Sequence, residues 1–171
     1  AARSDVDGDG DGGGDDGNDA PVALRGVSGA VSIVVEGCEF SGAGRGIVVD
    51  VPGAQLSVVR SAFRGLWGAG APALWAVDAT VLLDGVVFEG CTATDTAGGA
   101  VFVGGSVGAG ASLDAADCTF TDNVAGGARG GALALVGGLL SLEAGVDEIA
   151  FKHGTAAAGV GGGIARRGGK I

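Results

Sequence analysis

Three groups of side chains have the residue types and spacing to do chemistry. The first is a set of carboxylates: Asp84, Glu89 and Asp95 in one stretch, and Asp114, Asp117 and Asp122 in the next. Asp84 lies four residues before Phe88, and Asp117 lies three before Phe120. If the phenylalanines mark equivalent places in a repeat, neighbouring copies bring these two acids near one another. A carboxylate pair can divide the acid and base roles of a hydrolysis. His153, the single histidine, stands in Lys152-His153-Gly154-Thr155 and adds a candidate proton carrier. The plainer alternative places the acids on a solvated face and His153 in a surface turn.

The second group is the acidic head. Asp5, Asp7 and Asp9 alternate with other residues ahead of Gly10, and Asp16 falls at the twelfth position of that run. Oxygen ligands at alternate places before a glycine resemble the start of a calcium loop. Position eight, however, is Gly12, where an apolar anchor is usual, and no amphipathic helix flanks the run. The alternative is a like-charged, disordered low-complexity segment over residues 1–20. No cofactor is expected, and calcium at this head is the single candidate. The third group is Trp67 and Trp75, on either side of a Gly/Ala/Pro turn. Exposed, they would stack on a sugar ring; buried, they would cap a corner of the fold, the reading favoured for Trp75.

Other chemistries are excluded. No glycine-rich stretch carries the Lys-Ser/Thr of a phosphate loop, and no serine sits in a nucleophile elbow. Cys38, Cys91 and Cys118 contain no CxxC and are expected to be small buried residues. The net charge is −10, with no basic surface to neutralise phosphates, so a nucleic-acid partner is not expected. No apolar run approaches the ~20 residues of a membrane helix. The abrupt ends read as those of a fragment of something longer.

The elements that would position these groups follow from repetition. Thirty-eight glycines among 171 residues make helices poor candidates, and no stretch sustains a 3.6-residue apolar period. Gly98-Gly99-Ala100-Val101 recurs 32 residues later as Gly130-Gly131-Ala132-Leu133, and again as Gly162-Gly163-Ile164. Phe40, Phe63, Phe88, Phe120 and Phe151 follow at spacings of 23, 25, 32 and 31, each after an apolar stretch such as VSIVVEGCEF or VLLDGVVF. Cys38, Ser61 and Cys118 share the slot two before Phe. After each Phe come a turn and a second apolar run: GIVVDV, PALWAV, GGAVFV, GGALALV and GGIA. Each copy therefore reads as strand, turn, strand, turn. Repeats of this length without helices suit a solenoid of about five stacked β-coils over residues 21–171, roughly 24 Å long. Gly-Gly would serve where the backbone takes a positive φ or passes close to a neighbour. Asn123 would take a left-handed turn conformation.

Phe120-Thr121-Asp122-Asn123 followed by Gly130-Gly131-Ala132-Leu133 resembles the F-x-x-N…GGA-[ILV] repeat of the polymorphic outer membrane proteins. More broadly the tandem pattern is similar to the right-handed parallel β-helix superfamily that includes the pectate lyases. The full pair occurs once; Phe88-Glu89-Gly90-Cys91 has Cys at the Asn position. The resemblance implies an all-β, right-handed parallel β-helix. It implies a secreted or cell-surface, outer-membrane-associated protein that is structural or adhesive, with a polysaccharide or cell-surface glycan as partner. The expected function is a non-enzymatic module. The alternative is a polysaccharide lyase or glycoside hydrolase of the same fold, using acids such as Asp84 and Asp117.

Overall fold

The computed structural model describes residues 22–25, 31–70, 72–95, 98–105, 111–126, 131–136, 139–143, 150–152, 155–156 and 164–167, and side chains within residues 31–134. Among them are nineteen β-strands and no helix. The first circuit is β1 (Val22–Arg25), β2 (Ser32–Glu36) and β3 (Glu39–Ala43). The second is β4 (Ile47–Asp50), β5 (Gln55–Val59) and β6 (Ala62–Gly68). The third is β7 (Leu74–Val77), β8 (Thr80–Asp84), β9 (Val87–Glu89) and β10 (Thr92–Ala93). The fourth is β11 (Val101–Gly104), β12 (Ser112–Ala116), β13 (Thr119–Thr121) and β14 (Val124–Ala125). The fifth is β15 (Leu133–Val136), β16 (Leu139–Glu143), β17 (Ala150–Lys152) and β18 (Thr155–Ala156), and β19 (Ile164–Arg167) begins another.

Each strand pairs in parallel with its counterpart one circuit away. The first sheet runs β1-β4-β7-β11-β15-β19 and the second β2-β5-β8-β12-β16. The third begins with β3 on β6; β6 then pairs along its length with both β9 and β10, and these continue to β13-β17 and β14-β18. The three sheets are therefore visited in a fixed cyclic order. The phenylalanine spacing marks the true register: Phe40, Phe63, Phe88, Phe120 and Phe151 are successive Cα partners. So are Ile47, Leu74, Val101, Leu133 and Ile164 from the second apolar runs.

Period-two alternation sends one set of side chains inward. On the second sheet Leu56, Val81 and Leu113 form one buried row, and Val58, Leu83 and Ala115 another. Leu, Val and Ala fill these rows, each packing on its counterpart above and below. The rings of Phe40, Phe63, Phe88 and Phe120 stack with centroids 4.6, 5.0 and 4.7 Å apart and interplanar angles of 3, 9 and 12°. The spacing is that of adjacent strands, so register alone brings the rings into contact.

Each copy contains one corner more than the strand-turn-strand-turn reading allows. Apolar runs such as VSIVVEGCEF and VLLDGVVF are two strands on different sheets. Between them stands a residue of positive φ: Gly37 (62°), Arg60 (45°), Gly85 (62°) and Asp117 (51°). Asp84-Gly85 is therefore a corner rather than strand interior. This corner keeps one length through the first four circuits and lengthens in the fifth: Ser32 to Glu39, Gln55 to Ala62, Thr80 to Val87 and Ser112 to Thr119 are each seven residues apart, and Leu139 to Ala150 is 11. The passage from third sheet to first varies from the start. Glu39 to Ile47 is 8 residues, Ala62 to Leu74 is 12, and both Val87 to Val101 and Thr119 to Leu133 are 14.

The Gly-Gly pair has both expected roles. Gly98 has φ +81°, and a Cβ on Gly99 would lie 1.9 Å from the carbonyl oxygen of Gly131 in the next circuit. The left-handed residue beside Asn123 is instead Asp122, with φ 53°. Asn123 is wholly buried; its Oδ1 accepts the Cys91 N–H at 3.0 Å, and its Nδ2 donates to the Phe88 carbonyl at 3.0 Å. The amide side chain ties two circuits together where the third sheet bends. Its neighbour Asp122 makes the turn, because a short polar side chain tolerates that conformation.

Candidate functional site

The lengthened passage from third sheet to first carries the exposed aromatic chemistry. Trp67 is the penultimate residue of β6 and is 57 % exposed. Its register neighbours are Ala43 and Thr92, both small residues. A flat indole in this setting offers a stacking surface for a ring of mixed polarity. Arg64, three residues earlier, points from the same strand and ion-pairs with Glu89, and with Glu39 at 3.6 Å.

Trp75 differs from the buried corner cap expected of it. It lies on the outer face of the first sheet, half-buried and outside the core. One side of its ring stacks on Phe102 at 4.1 Å and 15°. The Arg45 guanidinium also lies over the ring, with its carbon 5.5 Å from the centroid. Arg45 donates through Nε and Nη2 to the Ala69 carbonyl at 2.8 and 2.6 Å, and Asp95 Oδ1 accepts the Gly70 N–H at 2.8 Å. Ala69 and Gly70 are thus held by one side chain from the circuit before and one from the circuit after. Arg45 and Phe102 were not singled out as functional from sequence, and Asp95, named there as a carboxylate that could do chemistry, instead holds the Gly70 N–H. The available signal was that Phe102 alone among the six phenylalanines falls outside the repeat slot.

The carboxylates are placed as follows. Asp84 ends β8 and is exposed; its partner on β12 is Ala116, with Asp117 one residue beyond. The two acids share the second-to-third-sheet corner on neighbouring circuits, offset by one residue. Cys118 lies beside both: burial first, then the charges of Asp84 and Asp117, push its thiol up to about 11, against hydrogen bonds with the Val86 and Ala116 backbone that act the other way. Burial likewise pushes Cys91 up to about 11, opposed by a backbone hydrogen bond at Leu66. A thiol that ionises only at such pH is not a nucleophile near neutrality. Cys38 departs from the expectation of burial and is exposed. Asp114 faces outward on β12 in register with Leu82, and Glu89 is engaged by Arg64.

Asp5, Asp7, Asp9 and Asp16, with the whole 1–20 head, lie outside the described residues, as does His153. Among the described residues no group of three or more His, Cys, Asp or Glu is placed to hold a metal ion. No helix among them is long and apolar enough to cross a membrane. Comparisons with protein-family models, with curated proteins and with solved structures give no match.

Proposed function

We propose that this chain is a right-handed parallel β-helix that acts without catalysis at the cell surface or outside the cell, holding a glycan against Trp67. The observation that carries the reading is the 57 % exposed indole of Trp67, whose register neighbours are the small residues Ala43 and Thr92. Cyclic visits to three parallel sheets support the β-helix, and the general preference for right-handed parallel crossovers supports its hand.

Glycan-array binding with purified protein tests the reading. Wild type should retain a restricted set of glycans. Trp67→Ala should lose them while melting at the wild-type temperature, since an exposed side chain contributes little to stability. Retained binding in Trp67→Ala, or turnover of a polyuronate by the wild type, would overturn it.

A further inference from the structure

The outer face of the second sheet has a different character. Its central row runs Val34, Ser57, Leu82, Asp114 in register. Val34 is 66 % and Leu82 45 % exposed, and with Trp67 they are the large exposed hydrophobics among the described residues. They stand two circuits apart, or about 9.6 Å at one strand spacing per circuit. Charge around Leu82 is one-sided. From Gly65 to Ala128 the sequence has seven acids (Asp78, Asp84, Glu89, Asp95, Asp114, Asp117, Asp122) and no Lys, Arg or His. Asp84 is on the same strand as Leu82, two residues on, and Asp114 is its register partner. The cations of the preceding circuit are engaged: Arg60 by Glu36, and Arg64 by Glu39 and Glu89.

We infer that this face docks a basic amphipathic helix from a partner protein, lying along the stacking direction. The apolar spacing fits a helix, in which residues i and i+7 share one face at about 10.5 Å. An extended strand running the same way would place its same-face residues about 6.8 Å apart and miss the second contact. A Lys or Arg flanking the apolar stripe would meet Asp84, and one beyond the end of the stripe would meet Asp114, which continues the row past Leu82; this complementarity selects a cationic partner and speeds its encounter. The site is separate from Trp67, which lies on the third sheet, so it stands or falls independently of glycan binding.

The test is calorimetric titration of the full chain with a Leu/Lys peptide of about 18 residues, patterned as an amphipathic helix, beside a scrambled peptide of equal charge. The patterned peptide should bind and the scrambled one should bind at least about tenfold more weakly. The double variant Val34→Ser/Leu82→Ser should weaken the patterned peptide by a similar factor, with an unchanged melting temperature. Asp84→Asn/Asp114→Asn should flatten the salt dependence. Equal binding of both peptides, or indifference to the Val34/Leu82 variant, would overturn the inference by showing plain polycation attraction. Sedimentation showing a dimer of the wild type that Leu82→Ser dissociates would overturn it too, because the face would then be occupied by a second copy.

Discussion

At the scale of single residues, the fold depends on a few side chains whose roles cannot be transferred. Asn123 satisfies the buried Cys91 N–H and the Phe88 carbonyl in one stroke. Asn123→Ala should therefore cost about 1–3 kcal/mol in urea unfolding, the penalty for leaving buried polar groups unpaired. Asn123→Asp should not rescue it, because a carboxylate has no N–H for the Phe88 carbonyl. The cysteines give a pH signature. Cys91 and Cys118 are raised from an ordinary 9.0 to about 11 by burial. The unfolded chain then loses these protons first, so the thiols' stabilising contribution is complete below pH 9.0 and is lost as pH climbs toward about 11. Unfolding free energy should fall across that window, and Cys118→Ala should flatten part of the fall. In native protein at neutral pH, a thiol reagent should modify Cys38 and spare the other two.

At the scale of elements, the phenylalanine stack and the Gly-Gly passage set the contact between circuits. Phe88 has rings on both sides, at 5.0 and 4.7 Å, and Phe88→Ala should cost about 3–5 kcal/mol. Phe40 is partly buried, with one ring neighbour among the described residues, so Phe40→Ala should cost clearly less. Gly99→Ala should match or exceed about 3 kcal/mol, because its Cβ would meet the Gly131 backbone oxygen, which has no rotamer to retreat into. Thermal or denaturant melts of the three variants rank these costs directly. The phenylalanine register was legible in the sequence because an inward aromatic must stack on its counterpart, and stacking preserves residue type. The corner inside each apolar run was not. One residue of positive φ suffices to turn the chain, and Gly37, Arg60, Gly85 and Asp117 share a conformation without sharing a type. Arg60 in particular gives no turn signal. Trp75 was misplaced for a related reason: alternation within PALWAV is ambiguous when outer-face residues are also apolar, as Val48, Trp75 and Phe102 are.

At the scale of the whole molecule, three parallel sheets separate three kinds of surface. The first sheet carries an outer aromatic contact clamped by Arg45, the second an acid-flanked apolar row, and the third the exposed Trp67. Their separation was not legible in the sequence, because Trp67 and Trp75 are eight residues apart yet belong to different faces. It depends wholly on the parallel, in-register pairing of successive circuits. The most direct measurement is disulfide formation between engineered cysteines in a Cys38→Ser background. Ser57 and Leu82 are Cα partners on neighbouring circuits, whereas Thr80 is the partner of Gln55. A Ser57→Cys/Leu82→Cys pair should oxidise readily, because adjacent strands place Cα atoms within the roughly 4.4–6.8 Å that a disulfide spans. A Ser57→Cys/Thr80→Cys pair lies on the diagonal, beyond about 7 Å, and should remain reduced. Equal or faster oxidation of the 57–80 pair would contradict the register and the arrangement of surfaces built on it.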